Sequence, residues 1–256
     1  MKTTILLSTI IIVLYSPLYS QDYKIPASNS TDASLVLDGF SGQLTIEGYS
    51  GNEIVIGPAD RTETPERAKG LKPVYSGGVD NTGLGLKLDK DGNKISIKCL
   101  LPFTNQKDFT LKVPENMALK ITSECQNSND VVVSKMKNEI EIQICHSIKL
   151  DQVSGPLVLS TISGDIDITF GTINSQKPFA INSVSGEIDI TMPSKFAADI
   201  EMNSVTGSMY SDFDFSNTDK DVKQVGGNNL EYKLNGGGVK FSIVSVSGNI
   251  YLRKGA

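Results

Sequence analysis

The chain contains two nearly identical segments, Ile162-Ser-Gly-Asp-Ile-Asp-Ile-Thr169 and Val184-Ser-Gly-Glu-Ile-Asp-Ile-Thr191. In both copies isoleucine alternates with an acidic residue or threonine, which predicts a β-strand with one buried face. The Ser-Gly step before each strand suits a tight corner, because glycine accepts backbone angles that other residues avoid. A motif that recurs at a spacing of about twenty residues indicates a stack of repeated structural units.

Related steps recur elsewhere in the chain, as Val153-Ser154-Gly155, Val205-Thr206-Gly207 and Val246-Ser247-Gly248. One unit is too small to close a core, so neighbouring units must stack and bury their apolar columns. The sequence predicts an all-β parallel β-solenoid with about 20–22 residues per rung. The alternative is an immunoglobulin-like sandwich, which does not require near-identical strands one period apart. In the solenoid we expect these residues to be buried: Ile166, Ile168, Ile181, Ile188, Ile190, Ile200, Ile250 and Leu252.

The first 20 residues differ from the rest of the chain. Lys2 precedes an apolar run from Ile5 to Leu14, which predicts a secretory signal peptide cleaved after Ser20. An uncleaved membrane anchor is the alternative, although the run is short for a span. We expect a linker over residues 21–34 and a single solenoid domain over 35–256. Irregular inserts are expected near 58–92 and 216–238, with one short helix within 60–72 that begins at Thr64 and Pro65.

The charge and the predicted export limit the partners. The net charge is −5 and the isoelectric point is about 5.0, which argues against nucleic acid as a partner. No later segment has the length and apolarity of a transmembrane span. The sequence therefore predicts an exported protein of the periplasm, the outer surface or the medium, with an extracellular glycan or protein as the expected kind of partner.

The sequence offers few groups for catalysis or metal binding. His146 is the single histidine, and the adjacent Cys145 would point to the opposite face of a strand. The three cysteines lack the paired spacing of a zinc site, and the glycine-rich stretches lack the Lys-Ser/Thr of a phosphate loop. We predict no catalytic residue, no metal ligand and no cofactor site from these patterns.

Four carboxylates are expected to form an exposed ladder. In a rung-by-rung alignment Asp165 lies over Glu187 and Asp167 lies over Asp189. Such a ladder could take up Ca²⁺, and β-helices that cleave acidic polysaccharides use clustered aspartates in this way. The nearest basic residues are Lys177 and Lys195. A solvated acidic face is the simpler interpretation.

Export places the three cysteines in an oxidising compartment, where an odd number leaves one unpaired. Cys125 and Cys145 lie about one rung apart, so they are candidates for a disulfide. Strict alternation after Ile140 turns Cys145 away from the core, and the pair can meet only if the chain turns a corner there. Buried reduced thiols are the alternative.

The order of these elements resembles the bacterial "putative-adhesin" family of domains of unknown function, which is related to autotransporter-adhesin head domains. The resemblance rests on Phe109–Pro114, Val153–Thr169, Val184–Pro193, Leu234–Ile243 and Val246–Lys254. It implies a right-handed β-helix, export and an adhesive or surface role, and it brings no catalytic residues.

Two function classes follow. The first is a non-enzymatic, adhesin-like binding or scaffold module. The second is a carbohydrate-active β-helix enzyme, a lyase or hydrolase, whose aromatic platforms would have to be tyrosines such as Tyr210, Tyr232 and Tyr251, because the chain has no tryptophan. The sequence favours the first class.

Overall fold

The structure, a computed structural model, describes residues 22–57, 66–71, 73–127, 129–173, 176–214, 222–224 and 229–255. Strands dominate these residues, and the two helical segments among them are 3-10 turns at Glu66–Ala68 and Cys125–Asn127. The strands are β1 (Tyr23–Pro26), β2 (Ser34–Asp38), β3 (Leu44–Tyr49), β4 (Glu53–Gly57), β5 (Val74–Tyr75), β6 (Gly78–Val79), β7 (Leu86–Asp91), β8 (Lys94–Cys99), β9 (Phe109–Pro114), β10 (Ala118–Thr122), β11 (Val131–Ser134), β12 (Ile140–Ile144), β13 (Ile148–Val153), β14 (Leu157–Ser163), β15 (Ile166–Phe170), β16 (Phe179–Ser185), β17 (Ile188–Pro193), β18 (Ala198–Ser204), β19 (Met209–Ser211), β20 (Val222–Gln224), β21 (Asn229–Leu234), β22 (Val239–Ser247) and β23 (Ile250–Gly255).

Two long sheets enclose a single apolar core. Sheet A has the strand order β1-β4-β9-β3-β11-β13-β15-β17-β23-β19, and sheet B has the order β20-β21-β18-β22-β16-β14-β12-β10-β2-β8-β7. In the stacked strands, as in β15 and β17, alternate side chains point into the space between the sheets. Every residue predicted to be buried lies in this core, so the alternation was a reliable guide to the buried face.

The two strand orders run in step, and together they form eight rungs in the part of the chain that the structure describes. Each rung is one strand of sheet B followed by one strand of sheet A: β8–β9, β2–β3, β10–β11, β12–β13, β14–β15, β16–β17, β22–β23 and β18–β19. Neighbouring rungs pair in parallel, as β15 pairs with β17 and β14 with β16. This arrangement is the predicted stack, and the handedness of the stack stays a prediction.

The rungs do not follow chain order at either end. The rung β2–β3 lies inside the later rung β8–β9, and the last rung in the chain, β22–β23, lies between β16–β17 and β18–β19. Ile188 of β17 therefore lies beside Ile250 of β23. Units that follow one another in the chain are therefore not always neighbours in the stack.

Antiparallel strands cover three of the four sheet ends among the described residues. Strand β7 pairs with β8 at one end of sheet B, and β21 pairs with β18 at the other. Strands β4 and β1 extend sheet A beyond β9. The predicted linker over 21–34 thus contains a strand of sheet A, and parts of both predicted inserts supply end strands.

The spacing between rungs varies more than predicted. Val158 pairs with Ala180 at a separation of 22 residues, but Ile140 pairs with Leu157 at 17 and Ile148 with Ile166 at 18. At the shorter spacings of 17 and 18 residues, only a few residues connect one strand to the next. The single helix predicted within 60–72 is a three-residue 3-10 turn, and its proposed start at Thr64 and Pro65 lies outside the described residues.

The Ser-Gly steps sit at two different corners. Gly164, Gly186 and Gly248 form a column where sheet B passes into sheet A. A Cβ on Gly186 would lie 2.1 Å from the carbonyl oxygen of Gly164, and one on Gly248 would lie 2.0 Å from that of Gly186. Close backbone stacking therefore requires glycine there. Gly155 belongs to the opposite corner, where it lies against Asn138.

Candidate functional site

The four predicted carboxylates lie together on the outer face of sheet A. Asp167 of β15 is beside Asp189 of β17 in the register, and Asp165 and Glu187 immediately precede these strands. Asp165, Asp167 and Glu187 are exposed, whereas Asp189 is half-buried. The structure thus brings together the residues that the alternation placed on one face.

The pairing of β17 with β23 adds a base that the sequence analysis missed. Arg253 follows Tyr251 on β23, and its guanidinium holds Asp189 in a two-point ion pair, with Nε 2.7 Å from Oδ1 and Nη2 2.7 Å from Oδ2. The hydrogen bonds that Arg253 donates to Asp189, together with the charge of that carboxylate, raise the pKa of Arg253. A sequence signal existed, because Ile250-Tyr-Leu-Arg253 alternates like Ile188-Asp-Ile-Thr191 after the same Ser-Gly step.

Two tyrosines extend the ladder toward the end of sheet A. The rings of Tyr251 and Tyr210 are stacked, with centroids 5.3 Å apart and an interplanar angle of 12°. The Tyr210 side chain is 53% exposed. The guanidinium of Arg253 lies 5.5 Å from the Tyr251 ring centroid, a distance typical of cation–π contact. Tyr232 does not join this pair, since it lies on β21 of sheet B.

Hydrogen bonds fix most of the carboxylates. The Tyr251 hydroxyl and the Asn249 amide both donate to Glu187 Oε1, at 3.1 and 3.0 Å. Asp165 Oδ1 accepts the main-chain N–H of Glu187 at 2.8 Å. Groups held in this way present a fixed pattern of charge and hydroxyl to solvent.

Asp167 is the electrostatically unfavourable member of the ladder. Partial burial is the largest influence that raises the pKa of its carboxyl above the ordinary value, followed by the charges of Asp189 and Asp165. Lys149, its register neighbour on β13, opposes them. Like charges one rung apart repel each other, so ionisation of Asp167 works against the fold.

A groove of about 670 Å³ adjoins this face at the corner where sheet A returns to sheet B. We call it the corner groove. Its wall includes Thr169 and Thr191 from the outer face of sheet A, Phe170 at the end of β15, and Phe196 from the chain between β17 and β18. Lys195, one of the two bases singled out from the sequence, also lines it. The other base, Lys177, instead pairs with Glu139 at 2.6 Å.

Comparison with known proteins identifies the family. A family model described as Toastrack DUF4097 matches residues 17–253, almost the whole chain. The chain belongs to the Toastrack DUF4097 family. No curated protein sequence matches it. The match says nothing of autotransporter head domains, so that relation stays a prediction.

Two solved structures are similar to this Toastrack protein. One is described as a putative cell adhesion protein from Clostridium sporogenes, with 12% identity, a TM-score of 0.44, and coverage of 92% of this chain and 99% of the other. The other is described as a putative adhesin from Bacteroides fragilis, with 13% identity, a TM-score of 0.33, and coverage of 91% and 95%.

Two of the three cysteines of the Toastrack protein, Cys125 and Cys145, meet at the corner between sheets B and A. Strand β12 ends at Ile144, the chain bends at Cys145, and a disulfide joins Cys145 to Cys125 with their Cα atoms 5.1 Å apart. Because the chain bends at Cys145, the strict alternation that would have pointed this residue away from Cys125 no longer applies. Cys99 is buried and free, and burial raises the pKa of its thiol.

The remaining sequence candidates are not members of the ladder. His146 is exposed at the same corner, and its main-chain carbonyl accepts a hydrogen bond from the Thr161 hydroxyl at 2.7 Å. Within the described ranges, no group of three or more His, Cys, Asp or Glu side chains is placed to hold a metal ion. No helix in the described part of the chain is long and apolar enough to cross a membrane.

Proposed function

We propose that this protein is an exported, non-enzymatic binding or scaffold module of adhesin-like kind, acting at the cell surface or in the periplasm. One observation carries the proposal: the outer face of sheet A holds charged, hydroxyl and aromatic side chains in fixed columns. Parallel rungs spaced about 4.8 Å apart set the distance between neighbours in a column. A rigid, regular surface loses little conformational entropy when it binds a partner.

The engagement of the carboxylates favours recognition over catalysis. Asp189 is held by Arg253, and Glu187 by Tyr251 and Asn249. A general acid or nucleophile must be able to reach the reacting atoms, and side chains committed to neighbours are better suited to presenting a stable pattern. The exposed ring of Tyr210 supplies an apolar surface within this pattern.

A carbohydrate-active enzyme is the second candidate, and one observation favours it. Asp167 has a raised pKa and lies beside a second carboxylate, Asp189, as an acid–base pair in a glycosidase would. Both groups lie on the sheet face, however, and neither lines the corner groove. A lyase or hydrolase would have to act on a substrate lying across the open face.

One experiment separates the two functions. The mature chain is tested on an array of extracellular glycans and matrix proteins, and every polysaccharide that binds is then incubated with the protein to measure new reducing or unsaturated ends. We expect binding without turnover, and weaker binding by Tyr210→Ala than by the control Phe103→Ala, an exposed aromatic elsewhere in the fold. Turnover abolished by Asp167→Asn would establish the enzyme instead.

Export is tested independently of binding. The mature protein recovered from the native cell envelope or medium should begin at Gln21 by N-terminal sequencing. A chain that keeps Met1 and remains in the cytoplasm would contradict the proposed location.

A further inference from the structure

The corner groove has features of a binding site that the outer face lacks. It is concave, with a volume of about 670 Å³, which lies in the range of small-molecule sites. Its walls come from the ends of three successive rungs, at Thr169, Thr191 and Gly255. A ligand seated there would therefore contact several rungs at once.

An aromatic cluster gives the groove a firm apolar floor. Phe170 is buried and packs edge-to-face on Phe179 at 5.7 Å between centroids and on Phe241 at 6.0 Å. Phe196 packs on the same two rings at 6.3 and 6.4 Å. Because Phe196 is only half-buried, part of its ring is left for a ligand. The C–H groups of a pyranose ring pack well on such an apolar surface.

The polar residues that line the groove include one positive charge and no negative charge among the described residues. Thr169, Thr172, Thr191 and Lys195 line the groove, and no Asp or Glu is among the described residues that line it. Lys195 is exposed and makes no ion pair with the described residues. Many other lysines do, including Lys177 with Glu139. The groove thus combines hydroxyl partners with one available positive charge.

The acidic ladder beside the groove is partly neutralised by two basic residues. Arg253 lies beside Thr191 in the register and holds Asp189. Lys149 lies beside Asp167. Charges beyond about 10 Å are largely screened at ordinary ionic strength, so the net negative charge of the whole chain does not by itself exclude an anion from the groove.

We propose that the corner groove binds a hexuronate residue of an acidic polysaccharide. The ammonium of Lys195 pairs with the sugar carboxylate, the threonine hydroxyls exchange hydrogen bonds with the ring hydroxyls, and the ring packs against Phe196. This inference rests on the proposed binding function and gives it a ligand class. It assigns the ligand to the groove and leaves the tyrosine pair on the open face as a separate surface.

The test is calorimetric titration of the mature protein with galacturonic acid trimer and, in parallel, with neutral galactose trimer. We expect the acidic trimer to bind with a dissociation constant of about 1 mM or tighter and the neutral trimer at least about tenfold more weakly. Affinity for the acidic trimer should fall with added NaCl, because an exposed ion pair is screened.

Matched variants place the binding in the groove. Lys195→Gln should weaken binding of the acidic trimer about tenfold, whereas Lys94→Gln, an exposed lysine on β8 at the other end of the stack, should not. Thr191→Val should weaken both trimers, and Thr110→Val, on the outer face of β9, should weaken neither. Melting temperatures of all four variants check that the fold is intact.

The outcomes separate this inference from the proposed function. Equal binding of the two trimers, no heat with either trimer, or an unchanged affinity in folded Lys195→Gln would overturn the hexuronate site. Each of these results leaves the array experiment free to detect another ligand of the open face. Failure of the whole array would instead remove the binding function itself.

Discussion

At the scale of single residues, Asp167 is the group whose charge opposes the fold. Its pKa is raised in the folded state by partial burial and by Asp189 and Asp165. The sign follows from linkage: the folded protein holds this proton more tightly than the unfolded chain does. Stability is therefore lost as pH rises from the ordinary pKa of 3.8 through the raised folded value.

Replacement of Asp167 by asparagine should accordingly raise the melting temperature at pH 7, with a gain of no more than about 1 kcal/mol because solvent screens the exposed carboxyl. The gain should vanish below pH 3.8, where both states are protonated. Melting curves across this pH range are the measurement. Asp91→Asn, an exposed aspartate on β7, is the control. A melting temperature that is lower at pH 7 in Asp167→Asn would contradict this account.

The glycine column makes a second prediction for single residues. Gly186 has a φ of +149°, and an added Cβ would lie 2.1 Å from the Gly164 carbonyl oxygen. Gly186→Ala should therefore cost about 2–4 kcal/mol in the free energy of unfolding, measured by urea denaturation. Gly171→Ala is the matched control, since its Cβ would meet nothing closer than 3.6 Å. Equal midpoints for the two variants would show that the corner can relax.

At the scale of the structural elements, the disulfide ties two neighbouring rungs together. Cys125 follows β10 and Cys145 follows β12, at a sequence separation of 20. Closing a loop of that length in the unfolded chain corresponds to about 3 kcal/mol of stability in the chain-entropy model. The rung β12–β13 is thereby held to the part of the stack that precedes it.

Unfolded protein without reductant should accordingly show one titratable thiol, that of Cys99, and three after reduction. Reduction should lower the urea midpoint, and Cys145→Ser should lower it similarly. Cys99→Ser serves as the control for thiol counting, leaving none titratable before reduction. Three thiols in the unreduced, unfolded protein would exclude the bond.

At the scale of the whole molecule, the last rung of the chain is an interior rung of the stack. Strand β22 pairs with β16 on one side and β18 on the other, and β23 pairs with β17 and β19. Both strands contribute fully buried side chains such as Phe241 and Leu252. The stack cannot be completed until β22 and β23 have been made, because both pair with strands that precede them in the chain.

Hydrogen exchange should reveal this placement. Amides of β22 and β23 should exchange as slowly as those of β16 and β17, because pairing on both sides protects them, and more slowly than those of β19 at the sheet edge. Peptide-resolved exchange by mass spectrometry makes the comparison within one sample. Fast exchange in β23, as expected of a fraying terminal strand, would place it at the end of the stack instead.

The amino-acid sequence by itself determined the strands, their buried faces and the parallel stack. Alternation is a local property, so Ile166 and Ile188 point inward and Asp167 points outward whichever rung lies beside them. The repeated Ser-Gly step likewise marks corners of the chain, but the structure decides which corner each step occupies, since Gly155 lies opposite the column of Gly164, Gly186 and Gly248. The strands, their buried faces and the stack need only the repeat and the rule that apolar faces are buried.

Only the tertiary structure decided which rungs are neighbours. Near-identical repeats stack equally well in several orders, so local pattern does not choose between them. The rung β22–β23 lies between β16–β17 and β18–β19, which is a long-range arrangement. Strands β21 and β20 then cover the end of sheet B. The position of β23 between β17 and β19 brings Arg253 to Asp189 and stacks Tyr251 on Tyr210, because side chains on a shared face meet only when their strands are adjacent.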